Sequence, residues 1–591
     1  MIKKLLKSLR ENKLYTILTM VSMIFEVAME VTIPLIIFEF GKCVSPGPGI
    51  DPDINGMIIY GCLMVGAAIL SLLAGMMGGK FGAKASAGFA KNLRYDMFAK
   101  VQSYSFANID KFNSSSLVTR LTTDVGNVQM SFMMIIRTAI RAPLMLIFSL
   151  IMSFFIDTQL PWIFFVTMPI LLFSIIMIVR FAMPIFKKVF KRYDALNESV
   201  QEDIKGMRVV KAYVREDYET KKFTRVSDEL KGYFTKAERI FAINNPVMSF
   251  CLQAALIAIA FLGSRIITGG GTSLNAMGLQ SLLTYSMQIL MSLMMLSMIF
   301  VMITMSAESA RRIVEVLDEE STLVSPVNAL KEVKNGDVSF ENVSFRYSEH
   351  AERFALENIN LNIKSGETVG ILGGTGSSKT TLVNLISRLY DVTEGSVKVG
   401  DADVREYDLE TLRNQVAVVL QKNMLFSGTI KENLRWGNKD ATDEQLIEAC
   451  KLAQADEFIR SFPDGYDTMI SQGGTNVSGG QKQRLCIARA LLKQPKVLIL
   501  DDSTSAVDMK TDALLRAAFK QFIPDTTKII IAQRVASVMD ADKIVIMDNG
   551  RINAVGTHDE LLRTNEIYRE VYYSQNKIGE ETAPKGGKVN A

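Results

Sequence analysis

Six apolar stretches, at residues 14–41, 56–79, 132–156, 160–184, 243–268 and 278–305, most narrow what this chain can fold into. Each reaches or exceeds the ~20 residues a helix needs to cross the hydrocarbon core of a bilayer. In lipid every backbone polar group must be satisfied inside the segment, so each stretch is expected to be a long transmembrane helix. Basic residues sort the connections. Lys80, Lys84, Lys91, Arg94 and Lys100 follow the second stretch, Lys187, Lys188, Lys191 and Arg192 the fourth, and Arg311 and Arg312 the sixth. Connections 42–55, 157–159 and 269–277 hold one Lys and no Arg, with Arg265 just inside the fifth stretch. An excess of positive charge on cytoplasmic loops puts both termini in the cytoplasm of a multi-pass protein of the cell membrane.

About fifty residues separate the second and third stretches, and the fourth and fifth. These connections are polar and helix-forming, and extend the membrane helices into the cytoplasm. Each has a break where a short transverse helix is expected, at 108–117 and 203–213. At the N-terminus, Lys3, Lys4, Lys7, Arg10 and Lys13 among Ile2, Leu5, Leu6 and Leu9 read as an amphipathic helix on the cytoplasmic face rather than a signal peptide. The membrane domain is expected over 1–320 and a linker over 321–335. Residues 336–575 alternate short strands and helices, the pattern of an α/β domain. The polar tail 576–591 is expected to lack fixed structure.

The hydrophobic share of 48% and a mean hydropathy of +0.19 are high for a soluble protein. A net charge of +4 over 591 residues gives no reason to expect a nucleic-acid partner. Cys43, Cys62, Cys251, Cys450 and Cys486 show no paired spacing and read as packing residues. The only histidines are His350 and His558, which leaves little room for histidine-based metal or triad chemistry.

In the second half, the apolar run Thr368-Val369-Gly370-Ile371-Leu372 leads into Gly373-Gly374-Thr375-Gly376-Ser377-Ser378-Lys379-Thr380 and then the helix-like Thr381-Leu382-Val383-Asn384-Leu385-Ile386. A strand, a Gly-rich loop and a helix N-terminus aim successive backbone N–H groups at one point, which suits phosphate. Lys379 is placed to reach the outer phosphates and the Thr380 hydroxyl to ligand Mg²⁺. Ser378 stands where the usual pattern has Gly, and its Cβ is expected to crowd the phosphates. Tyr347 precedes the loop by 26 residues, and Gln421 follows the strand-like Val416-Ala417-Val418-Val419-Leu420. Val477-Ser478-Gly479-Gly480-Gln481-Lys482-Gln483-Arg484 comes next. Val497-Leu498-Ile499-Leu500-Asp501-Asp502 is a buried strand delivering two carboxylates at its C-terminal end, where α/β sheets bind ligands. Ser505-Ala506-Val507-Asp508 and Ile531-Ala532-Gln533-Arg534 complete the series.

With these motifs the chain resembles an ATP-binding cassette (ABC) exporter half-transporter, six transmembrane helices fused to one P-loop nucleotide-binding domain, over nearly its whole length. The resemblance implies ATP and Mg²⁺ as cofactors and two cassettes dimerising head to tail. One chain's phosphate loop, Gly373 to Thr381, would face the other's Ser478, Gly479, Gly480 and Gln481. It also implies that Tyr347 stacks on adenine, that Thr380, Gln421 and Asp501 hold Mg²⁺, and that Asp508 lets one site sense the other. The breaks near 108–117 and 203–213 match the coupling helices that rest on the cassettes.

Three positions depart from the family pattern. The family's catalytic Glu is Asp502 here, one methylene shorter, and its switch His is Gln533; Ser378 is the third. Hydrolysis needs a group that orients the attacking water, and misplacement by about a bond length can cost ~10²-fold. Neither histidine substitutes. The chain's own site is therefore expected to bind ATP and hydrolyse it poorly, and its intact Ser-Gly-Gly-Gln to complete a competent site on a second half-transporter that carries the Glu and the His. Drift without consequence is the plainer reading. A nucleotide-gated regulatory or channel-like protein that binds ATP without pumping is the alternative.

In the first apolar stretch Glu26 and Glu30 share a face with Pro34. Carboxylates at membrane depth cost several kcal/mol unless paired or hydrated. They read either as attracting cationic amphiphiles or as a structural pair with Arg137 or Arg141. Met287, Met291, Met294, Met298, Met302 and Met305 repeat along the sixth stretch, as helix packing or, at Met291 and Met298, as a substrate cavity. Lipid surrounds such a chain. Nothing in the sequence separates small-molecule, lipid and peptide substrates, although no peptidase-like segment precedes the spans, which speaks against a leader-processing peptide exporter.

Overall fold

A computed structural model describes residues 1–44, 51–112, 114–269, 274–348, 351–502 and 508–582. The chain divides into two compact units, one of Met1–Gln102 with Asn113–Glu319 and one of Ser103–Phe112 with Glu320–Ala591.

The first unit is helical. Its helices are α1 (Lys13–Val44), α2 (Ile54–Gln102), α4 (Val125–Ile156), α5 (Trp162–Ala212), α6 (Glu216–Ala242), α7 (Asn244–Thr268) and α8 (Ala276–Asp318), while α3 (Phe106–Lys111) falls in the second unit. Among the described residues five helices are long and apolar enough to cross a membrane, and the start of α5 forms a shorter apolar helix over Trp162–Ser174. At 1.5 Å per residue, α2 and α5 are each about 75 Å long, more than twice the ~30 Å hydrocarbon core. Pro34, Pro143, Pro169 and Pro184 lie inside helices, as membrane helices tolerate when neighbours re-satisfy the freed backbone. Close to Pro34, the buried Tyr285 hydroxyl of α8 donates to the Val31 carbonyl at 2.7 Å. Gly78 and Gly82 let α2 approach Met23 and Thr19 of α1, where added methyl groups would meet those side chains. Val27, Val31, Phe38, Met145, Phe164, Leu282, Tyr285 and Ile289 form a core shared by α1, α4, α5 and α8. Beyond the apolar part, the buried Asp124 accepts from Ser309 Oγ at 2.8 Å and pairs with Arg312 at 2.6 Å.

Two expectations need correction here. Residues Ile2–Asn12 form a short α-helix and a 3₁₀ segment kinked at Arg10 (φ 40°), not one amphipathic helix. The segment docks on protein: Leu5 and Leu9 are buried, Ser8 Oγ donates to Asp96 at 2.6 Å, and Arg10 pairs with the same carboxylate. The break expected at 203–213 is the continuous end of α5. A helix already dozens of residues long gains a hydrogen bond with each added residue, so the lone Gly206 does not stop it. The turn comes at Tyr213–Arg215, where Val214 takes φ 51°.

Among its described residues the second unit carries twelve strands: β1 (Val338–Phe345), β2 (Leu356–Ile363), β3 (Thr368–Gly373), β4 (Glu394–Val399), β5 (Ala402–Asp403), β6 (Val416–Val419), β7 (Gly428–Thr429), β8 (Met469–Ile470), β9 (Val497–Asp501), β10 (Thr527–Ile531), β11 (Lys543–Asp548) and β12 (Arg551–Gly556). Strands β2-β1-β4-β5 make an antiparallel sheet. In the order β12-β11-β3-β10-β9-β6, the strands from β11 to β6 run parallel and β12 antiparallel. Sheets covered by helices on both faces read as continuous apolar runs, and Ile499, Leu498, Ile529, Ile531, Val369 and Ile371 are all fully or nearly fully buried. The tail expected to lack structure is helical through Thr582, within the helix Glu566–Thr582; 583–591, like His350 and Ser505 to Val507, lie outside the described residues.

The break expected over 108–117 begins earlier than its sequence suggested. Ser105 caps α3 in a reciprocal capping box with Asn108. Within the same unit Asn108 Nδ2 donates to the Glu320 carbonyl at 2.9 Å, and Ser105 and Thr322 share a hydrogen bond at 2.6 Å.

Candidate nucleotide site

Four adjacent parallel strands end at one edge of the sheet and supply the site. Ile531 pairs with Ile371 on one side and Asp501 on the other, so β3, β10 and β9 finish in one row, with β6 beside β9. From β3 springs the loop Gly373–Ser378 and from it α9 (Lys379–Ile386). Gly373 lies so close to the Met547 carbonyl that a side chain is excluded, and Gly376 takes φ +83°. Ser378 holds φ 69° as the residue before α9. A left-handed conformation costs a non-glycine residue roughly 1 kcal/mol. The Ser378 departure thus strains the backbone, a different cost from the crowding read from the sequence.

The charged groups gather behind this loop. Lys379 Nζ donates to the carbonyls of Gly373 (2.9 Å) and Gly374 (2.8 Å). Burial holds its ammonium below the usual lysine range, opposed by the carboxylates of Asp502 and Asp501. Thr380 Oγ1 donates to Asp501 Oδ1 at 3.0 Å. Burial pushes the Asp501 carboxyl up, and the Thr380 bond works against it. A hydroxyl beside a carboxylate at a phosphate loop fits Mg²⁺, which takes one or two carboxylates and keeps waters and phosphate oxygens for the rest of its shell. Gln421, two residues past β6, is exposed.

The two positions expected to depart from the family's catalytic pair touch. Gln533 Nε2 donates to Asp502 Oδ2 at 2.8 Å, and Asp502 itself sits at φ 47°. His558, by contrast, is engaged elsewhere, its Nδ1 2.6 Å from the Tyr568 hydroxyl.

The Ser-Gly-Gly-Gln segment opens α10 (Gly479–Leu491). Ser478 Oγ accepts from Gln481 N, and Gln481 Oε1 accepts from Ser478 N at 2.9 Å. Both side chains thereby satisfy orphan amides at a helix start, leaving a helix N-terminus of the kind that binds anions. Asp508 likewise caps α11 (Met509–Phe522), accepting from Thr511 N at 2.9 Å and Thr511 Oγ1 at 2.7 Å. Those bonds hold its carboxyl below the usual range.

A family model described as ABC transporter matches residues 356–505, and one described as ABC transporter transmembrane region matches 16–294. The uncharacterized ABC transporter ATP-binding protein YfiB of Bacillus subtilis is 36% identical over 573 residues, which cover 97% of this chain and 98% of the relative. The chain belongs to the ABC transporter family. An ATP-dependent lipid A-core flippase of Syntrophus aciditrophicus is 31% identical, over 83% of this chain and 81% of its own. The solved structure of a bacterial Atm1-family ABC exporter with ATP bound shares the fold, with a TM-score of 0.82 over 96% of this chain and 99% of the other at 22% identity. The chain is thus an ABC half-transporter with the fold of that exporter, a helical membrane domain joined to an α/β cassette of an ATP-hydrolysing class.

Around Tyr347, which the sequence singles out, the structure adds Tyr390 and Asp110, and beside the switch segment Gln575, none of which the sequence marked. Tyr347, half exposed, packs edge-on against Phe345 and Tyr390 and bonds Thr381 Oγ1 at 2.9 Å. Tyr390 in turn donates to Asp110 of α3 at 2.7 Å and meets the ring of Phe106. Burial and that carboxylate push its phenol up. Gln575 of α12 (Glu566–Thr582) clasps the switch segment, donating to the Gln533 carbonyl and accepting from Val535 N, both at 2.9 Å. No motif marks Tyr390, Asp110 or Gln575, and these hydrogen-bond partners lie between 40 and 280 positions away.

In the membrane unit, Arg141 pairs with Glu26 at 3.0 Å and Glu30 at 2.7 Å. The two alternatives for its partner, Arg137 or Arg141, resolve to Arg141. Met287, Met291, Met294 and Met298 are exposed, so their row is not packed within this chain.

Proposed function

We propose that this ABC exporter chain is one half of a heterodimer, with an ATP site of its own that binds nucleotide and rarely hydrolyses it. The observation that carries the reading is the 2.8 Å bond from Gln533 to Asp502. A water-orienting carboxylate must leave an oxygen for the nucleophile and be supported by a group that can trade protons. Here the shortened carboxylate is engaged by an amide, which cannot act as an acid or base near neutral pH. ATP and Mg²⁺ fit the loop: Lys379 and the α9 N-terminus face phosphate, and Thr380, Gln421 and Asp501 would hold the metal, which spreads the charge on the phosphate oxygens.

The intact Ser478–Gln481 helix start then serves the partner's nucleotide, on a second half-transporter that supplies the Glu and the His. A homodimer would hold two weak sites and no strong one. The cargo is a hydrophobic or amphiphilic molecule exported across the cell membrane, with both termini cytoplasmic. The relatives named for lipid A-core transport and, in Bacillus subtilis, for putative multidrug export favour that class.

The test is the purified chain alone. It should bind ATP and release phosphate very slowly, and Asp502→Glu by itself should restore little, because Gln533 and Ser378 remain. Robust Mg²⁺-dependent hydrolysis by a verified homodimer would overturn the reading.

A further inference from the structure

Among the described residues of the membrane unit, one charge is left unbalanced. Glu26 and Glu30 lie one turn apart near the middle of α1, and both of their ion pairs go to Arg141; neighbouring Arg137 pairs with neither. Two carboxylates against one guanidinium leave one negative charge. Glu26 is 8% exposed, and its Oε2 has no hydrogen-bond partner among the described residues. A buried carboxylate oxygen without a donor costs free energy at any depth, and more at the centre of a bilayer.

The cluster borders a cavity. Glu26, Glu30 and Arg141 line a cavity of about 530 Å³ together with Ser71, Gly75 and Met76 of α2. Gly75 faces the Glu26 carboxyl so closely that a methyl group there would lie 3.2–3.4 Å from three of its atoms. The glycine lets the backbone of α2 close over that carboxyl, which faces the cavity from beneath it. Met76 and the adjoining Leu72 are more than half exposed and add an apolar wall. A cavity of this size admits a drug-sized molecule.

From this geometry we infer that the Glu26–Glu30–Arg141 cluster is a binding site for a cationic group carried on an apolar body. The inference names the cargo chemistry of the proposed exporter and rests on that reading for its biological meaning. The Coulomb term favours a monocation because its charge brings the cluster to neutrality, and the Leu72–Met76 wall takes the apolar part. Arg141 holds the two carboxylates together, so that they act as one anionic site rather than repelling each other.

The probe is radiolabelled tetraphenylphosphonium, with tetraphenylborate as its anion of the same shape, measured by equilibrium dialysis on the full chain in lipid nanodiscs. We expect saturable binding of the cation, no competition by the anion, and at least about tenfold weaker binding in both Glu26→Gln and Glu30→Gln. Each preparation is checked for ATP binding at the cassette, which separates a lost site from a lost fold. Nanodiscs of phosphatidylglycerol alone are compared with ones containing phosphatidylethanolamine. Weaker cation binding in the second assigns the site to a lipid ammonium group, and equal binding assigns it to a free amphiphile. Absent binding, equal binding of the anion, or unchanged binding in both variants would overturn the inference. Because ATP binding is read on the same samples, such a failure leaves the exporter reading standing; that reading falls only with the cassette's own test.

Discussion

Each unit of this chain sets two carboxylates against one cation, and handles the excess charge differently. In the cassette, Asp501 and Asp502 sit near Lys379, and each has a further donor: Thr380 for Asp501 at 3.0 Å, Gln533 for Asp502 at 2.8 Å. In the membrane unit, Glu26 and Glu30 share Arg141, and Glu26 Oε2 has no donor among the described residues. The cassette cluster is therefore satisfied as it stands, and a metal nucleotide adds to it. The membrane cluster depends on one guanidinium for its cohesion. Equal charge sums do not make equal sites; the count of donors around each oxygen decides how much rests on the single cation.

The comparison breaks most visibly on removing each cation. Arg141→Met should destabilise the membrane unit by on the order of 3 kcal/mol, since it strands the buried Glu26 carboxylate beside a second, half-buried one at Glu30. Lys379→Met should cost less than about 1 kcal/mol, because both aspartates keep a donor, while still abolishing tight ATP binding. Thermal unfolding of the two variants in nanodiscs reads the difference, and Arg141→Met should recover when combined with Glu26→Gln and Glu30→Gln. Equal losses in the two single variants would erase the distinction.

The next effect sharpens the contrast between the cassette's own catalytic edge and its Ser-Gly-Gly-Gln helix start. In the proposed heterodimer, Ser478→Arg removes the cap of α10 and puts a bulky cation where the partner's phosphate would bind. ATP turnover should fall by about 100-fold or more, whereas Asp502→Ala should leave most of it. A reversed ranking in steady-state phosphate release would mean that this chain's own site is the working one.

The smallest effect concerns Asp508. Its carboxyl titrates below the ordinary value of 3.8 because it accepts from Thr511. A depressed folded value stabilises the protein above the unfolded value, and that stability is lost as pH falls through the folded one. Asp508→Ala should thus lower the melting temperature slightly at pH 7, with the gap closing below pH 3.8. Asp508→Asn keeps a capping oxygen and should lose less. Nucleotide trapping in the heterodimer then separates the roles. If the alanine variant alone makes ADP on the two chains independent of each other, capping of α11 is what links the sites; if both variants do, the charge is.

Much of the site was legible because its chemistry is local in sequence. A loop that must aim amides at phosphate needs Gly373, Gly376, Lys379 and Thr380 in that order, and the strand-end pair Asp501-Asp502 announces itself by the apolar run before it. Helical spans were legible for the same reason, since a bilayer imposes length and apolarity segment by segment. Helix breaks were less so: the polar run 203–213 reads as an interruption, yet propagation along α5 overrides local composition as far as Ala212.

What only the tertiary structure decided is which distant side chains meet. The departures at Asp502 and Gln533 were visible as letters, but their direct bond follows from β9 and β10 ending side by side. Glu26 could be paired with Arg137 or Arg141 on sequence grounds, and one helical turn of α4 against α1 settled it. Gln575 and Tyr390 carried no signal, because a hydrogen bond across 42 or 280 positions depends on packing and leaves no spacing to read. Sequence determined the elements and the charges, since those follow from local rules. The fold chose the partners, since pairing energies act only between groups that the packed chain brings within a few ångströms.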